Sequence, residues 1–129
     1  MSGIYIHIPF CRRKCLYCAF YSVALLSKKQ DYIDALYTEI EGTLDFLPSR
    51  HIGTIYFGGG TPTLLSISEL EQIITKLRRH YVLSPDYECT IEANPEQLNK
   101  TYLKDLLSIG INRISIGVQS FNDETLRFL

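Results

Sequence analysis

The sequence predicts an α/β fold of four parallel βα units, the front part of a partial (βα) barrel. Three observations lead there. Short runs rich in β-branched and aromatic residues alternate four times with longer stretches of helical periodicity. Strand, loop and helix recur in that order, which means parallel strands joined by right-handed crossovers. The 129 residues are 46% hydrophobic, enough for one packed core and too apolar for a disordered chain.

The elements follow in order. Gly3–Ile8 alternates β-formers and stops at Pro9, giving a first strand. Ile33, Leu36, Tyr37, Ile40, Leu44 and Leu47 recur at helical spacing up to Pro48. Ile52–Phe57 reads as a second strand running into three glycines. Ser66 and Glu69 form the S-x-x-E capping box of a second helix, whose stripe is Leu70, Ile73, Ile74, Leu77 and Tyr81. Tyr87–Ala93 is a third strand, broken at Asn94-Pro95. A third helix carries Leu103, Leu106 and Leu107 and ends at Gly110, the expected C′ residue. Arg113–Val118 is a fourth strand, and Asn122 or Asp123 caps a last helix. Four βα units leave the fourth strand an unpaired edge, so residues 1–129 are expected to be the N-terminal part of a core domain, truncated after that strand.

Composition narrows the function. Thirteen basic against fourteen acidic residues give a net charge of −1, which argues against nucleic-acid or membrane-surface binding driven by bulk charge. No apolar run approaches the ~20 residues of a membrane span. The N-terminus lacks the basic and apolar regions of a secretory signal, so a cytoplasmic location is expected. Clustered cysteines there more often bind metal or do chemistry than form disulfides.

Three of the four cysteines lie in one short basic loop, "HIPFCRRKCLYCAFYS", as C-x3-C-x2-C: Cys11, Cys15 and Cys18. Arg12, Arg13 and Lys14 lie between the first two, where cations favour thiolates. Tyr17, Phe20 and Tyr21 are candidates for an apolar collar limiting solvent access. Iron–sulfur clusters usually take four cysteines, so three would leave one iron open to a small molecule. A zinc site completed by His7 or Cys89, or three thiols together by coincidence, are the competing readings. Cys89 has no nearby partner and reads as a small buried strand residue; His7, His51 and His80 share no ligand spacing.

Ligands in parallel α/β folds bind at the carboxyl ends of strands. There the second strand offers Gly58-Gly59-Gly60-Thr61-Pro62-Thr63, a turn open to close backbone approach or simply a tight turn, and no phosphate fingerprint. The third offers Glu92, Asn94 and Glu96, where Glu92 suits a ribose or an ammonium group or is a solvated carboxylate. The fourth offers Gln119, Ser120 and Asn122, neutral hydrogen-bonders.

In this order "YIHIPFC…C…C", "YFGGGTPT", "IEANPE" and "RISIGVQSFND" resemble the radical S-adenosylmethionine superfamily, over essentially the whole chain. Within it they are similar to the branch holding the HemW heme chaperones and the oxygen-independent coproporphyrinogen III oxidases. The resemblance implies a partial parallel barrel and a 4Fe–4S cluster on Cys11, Cys15 and Cys18, with S-adenosylmethionine on the fourth iron. Electron transfer to its sulfonium would then give methionine and a 5′-deoxyadenosyl radical. By motif position Tyr5, Gly59 and Glu92 resemble residues contacting that molecule. Tyr17, Gly60, Thr61 and Gln119 match positions that touch a second one in the oxidases. The oxidase pattern has a further cysteine two residues after the third ligand. Here that residue is Phe20, so the resemblance favours heme binding and delivery to an acceptor protein, with an electron donor, over porphyrin decarboxylation. Family members continue well beyond residue 129, with more barrel and a C-terminal domain.

Overall fold

The structure, a computed structural model, describes residues 2–128. Strands β1 (Ser2–Ile8), β2 (His51–Gly59), β3 (Val82–Ala93) and β4 (Arg113–Ile116) form one parallel sheet in the order β1-β2-β3-β4. Helices α1 (Lys29–Gly42), α2 (Ile67–His80) and α3 (Lys100–Ser108) link successive strands, and α4 (Asp123–Phe128) follows β4. The α/β fold of four parallel βα units is therefore the one the sequence predicts.

Sequential order decides which face is covered. Right-handed crossovers that always advance in one direction lay every helix on the same side, as in a barrel wall. Burial follows that rule. Ile6, Ile8, Ile52, Ile55, Phe57, Cys89 and Ile91 form one core with Ile33, Leu36 and Ile40 of α1 and Leu70, Ile73, Ile74 and Leu77 of α2. The alternate residues of each strand point the other way, and they are polar or aromatic: Tyr5 and His7, Thr54 and Tyr56, Glu88, Thr90 and Glu92, Arg113 and Ser115. No helix covers that face among the described residues.

Local signals account for the helix ends. Ser66 Oγ accepts from Glu69 N at 3.2 Å while Glu69 Oε2 accepts from Ser66 N at 2.7 Å, the reciprocal capping box. Burial opposes the charge on Glu69, yet hydrogen bonds from Ser66 and Lys29 hold its carboxyl below the usual range. Past α3, Gly110 N donates to Leu107 O and Ile111 N to Leu106 O, both at 3.0 Å, the closing pair of a Schellman motif. Asn122 Oδ1 accepts from Thr125 N at 2.9 Å and caps α4.

Several elements depart from the sequence reading: β2 runs on through Gly58 and Gly59 instead of ending at Phe57, and β4 stops at Ile116 instead of Val118. α1 stops at Gly42 instead of reaching Pro48; Thr43 turns the chain out by bonding back to Glu39 O, and Leu44 and Leu47 pack on the core from an irregular segment. β3 starts at Val82, because Val82 and Leu83 pair with His51 and Ile52 ahead of a register shift. In α3 only Leu106 is buried, whereas Leu103 and Leu107 are exposed.

Candidate functional site

Strand β1 delivers the chain to the cysteine loop, and two backbone bonds pin the loop at its mouth. Cys11 N donates to Val23 O at 3.0 Å and Val23 N to Pro9 O at 2.7 Å. Between them the chain has no regular structure; one backbone bond, Cys18 N to Cys15 O at 3.2 Å, turns it. Cys11, Cys15 and Cys18 are half-buried free thiols. Among the described residues no three His, Cys, Asp or Glu side chains are gathered closely enough to hold a metal ion. The donor set nonetheless fits an iron–sulfur cluster: three soft, accessible sulfurs on one loop, none in a disulfide. Holding a cluster would draw them together, local folding coupled to metal binding.

Both residues that would complete a zinc site are otherwise engaged. Cys89 is fully buried on the helix side of β3, where burial pushes its thiol up to about 12. His7 has both ring nitrogens engaged, Nδ1 with Tyr5 Oη at 3.1 Å and Nε2 with Tyr21 O at 3.0 Å. Since a carbonyl only accepts, Nε2 carries the proton to Tyr21. His7 thereby ties the cysteine loop to the bare sheet face. Its side-chain direction, shared with Tyr5 by strand alternation, is the signal that marks it in the sequence.

The glycine turn at the end of β2 closes under this loop. Gly60 N donates to Ile8 O at 2.8 Å and Thr61 N to Phe10 O at 2.7 Å. Thr61 Oγ1, nearly buried, lies 3.7 Å from Cys11 Sγ as a hydroxyl donor to sulfur. Gly59 has φ +108°, a left-handed backbone that disfavours side chains, and a Cβ there would lie 2.8 Å from the His7 ring. At Gly60 a Cβ would lie 2.5 Å from Phe10 O and 3.0 Å from Cys11 Sγ. The turn is thus a close approach between β2 and the cysteine loop, beyond being a plain tight turn.

Glu92, on the bare face of β3, reaches across to β2. Its Oε1 accepts from Tyr56 Oη at 2.8 Å and its Oε2 from Gly59 N at 3.1 Å. The Tyr56 ring stacks on Tyr5, centroids 5.9 Å apart and planes 25° from parallel. Burial, then the Glu92 charge, pushes the Tyr5 phenol up; the hydrogen bond to Glu92 does the same to Tyr56.

Tyr5, Gly59, Gly60, Thr61 and Glu92 therefore converge with Cys11 at the carboxyl edge of β1, β2 and β3. Tyr17 lies within the loop, its phenol pushed up by burial and a hydrogen bond to Cys15. Gln119 is exposed beyond β4, its side-chain amide donating at 3.4 Å to Gly117 O. The expected aromatic collar does not close: Tyr17, Phe20 and Tyr21 are 48%, 67% and 72% exposed. Tyr56 was not among the residues singled out from sequence.

Comparison with known proteins identifies the family and the fold. The family model described as the radical SAM superfamily matches residues 5–129. The chain belongs to the radical SAM superfamily. It is 41% identical over 129 residues to the heme chaperone HemW of Escherichia coli (strain K12), covering 98% of this chain and 34% of that protein. It is 35% identical over 129 residues to the oxygen-independent coproporphyrinogen III oxidase of Salmonella typhimurium, covering 98% of this chain and 28% of that protein. A solved structure, that of the radical SAM enzyme coproporphyrinogen III oxidase (HemN) from Escherichia coli, superposes with a TM-score of 0.87 at 35% identity. That superposition covers 97% of this chain and 29% of the other. The chain thus spans about a third of the length of the relatives it matches. Membership implies S-adenosylmethionine and a 4Fe–4S cluster. Among the described residues no helix is long and apolar enough to cross a membrane.

Proposed function

We propose that this chain is the N-terminal part of the core domain of a heme chaperone of the HemW type, binding heme and delivering it to an acceptor protein. In this reading Cys11, Cys15 and Cys18 hold the cluster. Tyr5, Gly59 and Glu92 contact S-adenosylmethionine, and Tyr17, Gly60, Thr61 and Gln119 line the adjoining space. When bound, the cluster supplies an electron for reductive cleavage of the sulfonium. The protein's own contribution is placement. Thr61 donates to Cys11 Sγ, the His7 ring ties Tyr5 to the loop, and Glu92 offers a fixed carboxylate.

Phe20 carries the choice between branches. It stands two residues after Cys18 at the loop rim, 67% exposed, where the oxidase pattern has a fourth thiol. An aromatic ring brings no acid, base or redox chemistry there. The likeness to the oxidase structure favours a second reading, decarboxylation of coproporphyrinogen III. The deciding assay uses full-length protein under anaerobic conditions with reductant, S-adenosylmethionine and coproporphyrinogen III. The chaperone reading expects no carbon dioxide beyond background, together with heme binding and transfer to an apo-acceptor. Multiple-turnover release of carbon dioxide refutes it.

A further inference from the structure

Glu92 is held by a strand that is not its own. β2 supplies both groups that fix its carboxylate, the Tyr56 hydroxyl on one oxygen and the Gly59 amide on the other. We propose that Tyr56 is a positioning residue of the S-adenosylmethionine site, clamping Glu92 together with Gly59 so that the carboxylate is presented in one orientation on the bare sheet face. The inference rests on the reading of Glu92 as a contact of that ligand.

Three observations support the clamp. First, its two donors lie on opposite oxygens, so the carboxylate plane is fixed as well as its position. Each oxygen keeps further lone-pair capacity for a ligand donor. Second, the path across β2 is free because Gly58 lies between Tyr56 and Gly59: a Cβ there would stand 2.9 Å from both the Tyr5 and Tyr56 rings. Third, Tyr56 is itself immobilised. Its ring stacks on Tyr5, with centroids 5.9 Å apart. Tyr56 thus joins Tyr5 by stacking to Glu92 by hydrogen bonding, and Glu92 in turn to Gly59. All three of its linked neighbours are candidate ligand contacts, whereas Tyr56 acts only through them.

The test is a double-mutant cycle on the reconstituted full-length protein, read by calorimetric S-adenosylmethionine binding. Tyr56→Phe keeps the ring stack and removes the hydroxyl. It should raise Kd about tenfold, or ~1.4 kcal/mol. Iron and sulfide content and the cleavage rate at saturating S-adenosylmethionine should stay within about twofold of wild type. In a Glu92→Gln background the same change should add less than about twofold. Equal effects in both backgrounds, or no effect in the wild-type background, overturn the positioning role. If Glu92→Gln alone leaves Kd unchanged, the reading of Glu92 as a contact fails, and the positioning role falls with it. A second measurement needs neither cluster nor ligand. In alkaline difference spectra of the apo full-length protein carrying Tyr5→Phe, which removes the other phenol raised by the Glu92 charge, Glu92→Gln should lower the ionisation pH of one phenol toward that of ordinary tyrosine. No such shift would dismiss the clamp even if Tyr56→Phe failed to fold.

Discussion

Replacing Gly60 by alanine tests whether the glycine turn and the cysteine loop are one mechanical unit. The new Cβ would lie 2.5 Å from Phe10 O and 3.0 Å from Cys11 Sγ. Carbon–oxygen contacts in proteins settle at about 3.3 Å or more, so the Phe10 carbonyl must retreat by roughly 0.8 Å. That carbonyl accepts from Thr61 N at 2.7 Å. The retreat stretches the bond to about 3.5 Å, past the useful range. One lost backbone hydrogen bond costs about 1 kcal/mol, and forced overpacking about 1–3 kcal/mol. The expected loss is about 2–4 kcal/mol of stability. Because Cys11 moves with Phe10, bound iron per chain should fall as well. The assay pairs chemical denaturation with iron and sulfide analysis of the reconstituted full-length protein. Gly42→Ala is the control: a Cβ there meets nothing within 4 Å at the last residue of α1, so stability should hold or rise by up to about 1 kcal/mol. A Gly60→Ala protein with wild-type stability and full iron content would refute the reasoning.

Two further outcomes are expected. Cys15→Ser should abolish the visible absorption of the reconstituted cluster and Cys89→Ser should leave it, since Cys89 is fully buried on the helix side of the sheet; zinc at unit stoichiometry without labile sulfide would count against the cluster. Alkali should destabilise the fold early, as followed by urea denaturation across pH. Burial, the leading cause, pushes Cys89 and Tyr32 up to about 12, while the unfolded thiol and phenol ionise near about 8.5 and 10. The unfolded chain then releases protons first, so stability is fully present below about pH 8.5 and is lost as pH rises toward 12. Flat stability to pH 11 would contradict it.

Much of this was legible because its causes are local. The Ser66–Glu69 box, the Gly110 stop and the alternation of Gly3–Ile8 each lie within one turn or one strand. Motif order likewise brought Tyr5, Cys11, Gly59 and Glu92 to the same strand ends. The misreadings share another origin. Leu44 and Leu47 are apolar because they pack on the core, yet they do so after Thr43 has left the helix, and periodicity does not separate the two. Val82 and Leu83 enter β3 through pairing with β2, a partner remote in sequence. Leu103 and Leu107 carry a helical apolar pattern, and whether it is covered depends on neighbours. Tyr56 escaped notice because its partner Glu92 is fixed by register across strands, which spacing within one segment does not reveal.

The closure of the glycine turn under the cysteine loop also has a meaning in time. Cys11 and Phe10 are synthesised early, but the groups that seat them, Gly60 N, Thr61 N and Thr61 Oγ1, belong to the far end of β2. Until that strand exists and has paired with β1, the thiols hang from a loop closed only at its own mouth. The neighbouring polypeptide that completes their setting arrives after a whole helix has been made. A ribosome therefore hands over the cysteines first and the turn that seats Cys11 second. In this topology the order in which the loop and its seat come together is written into the chain itself.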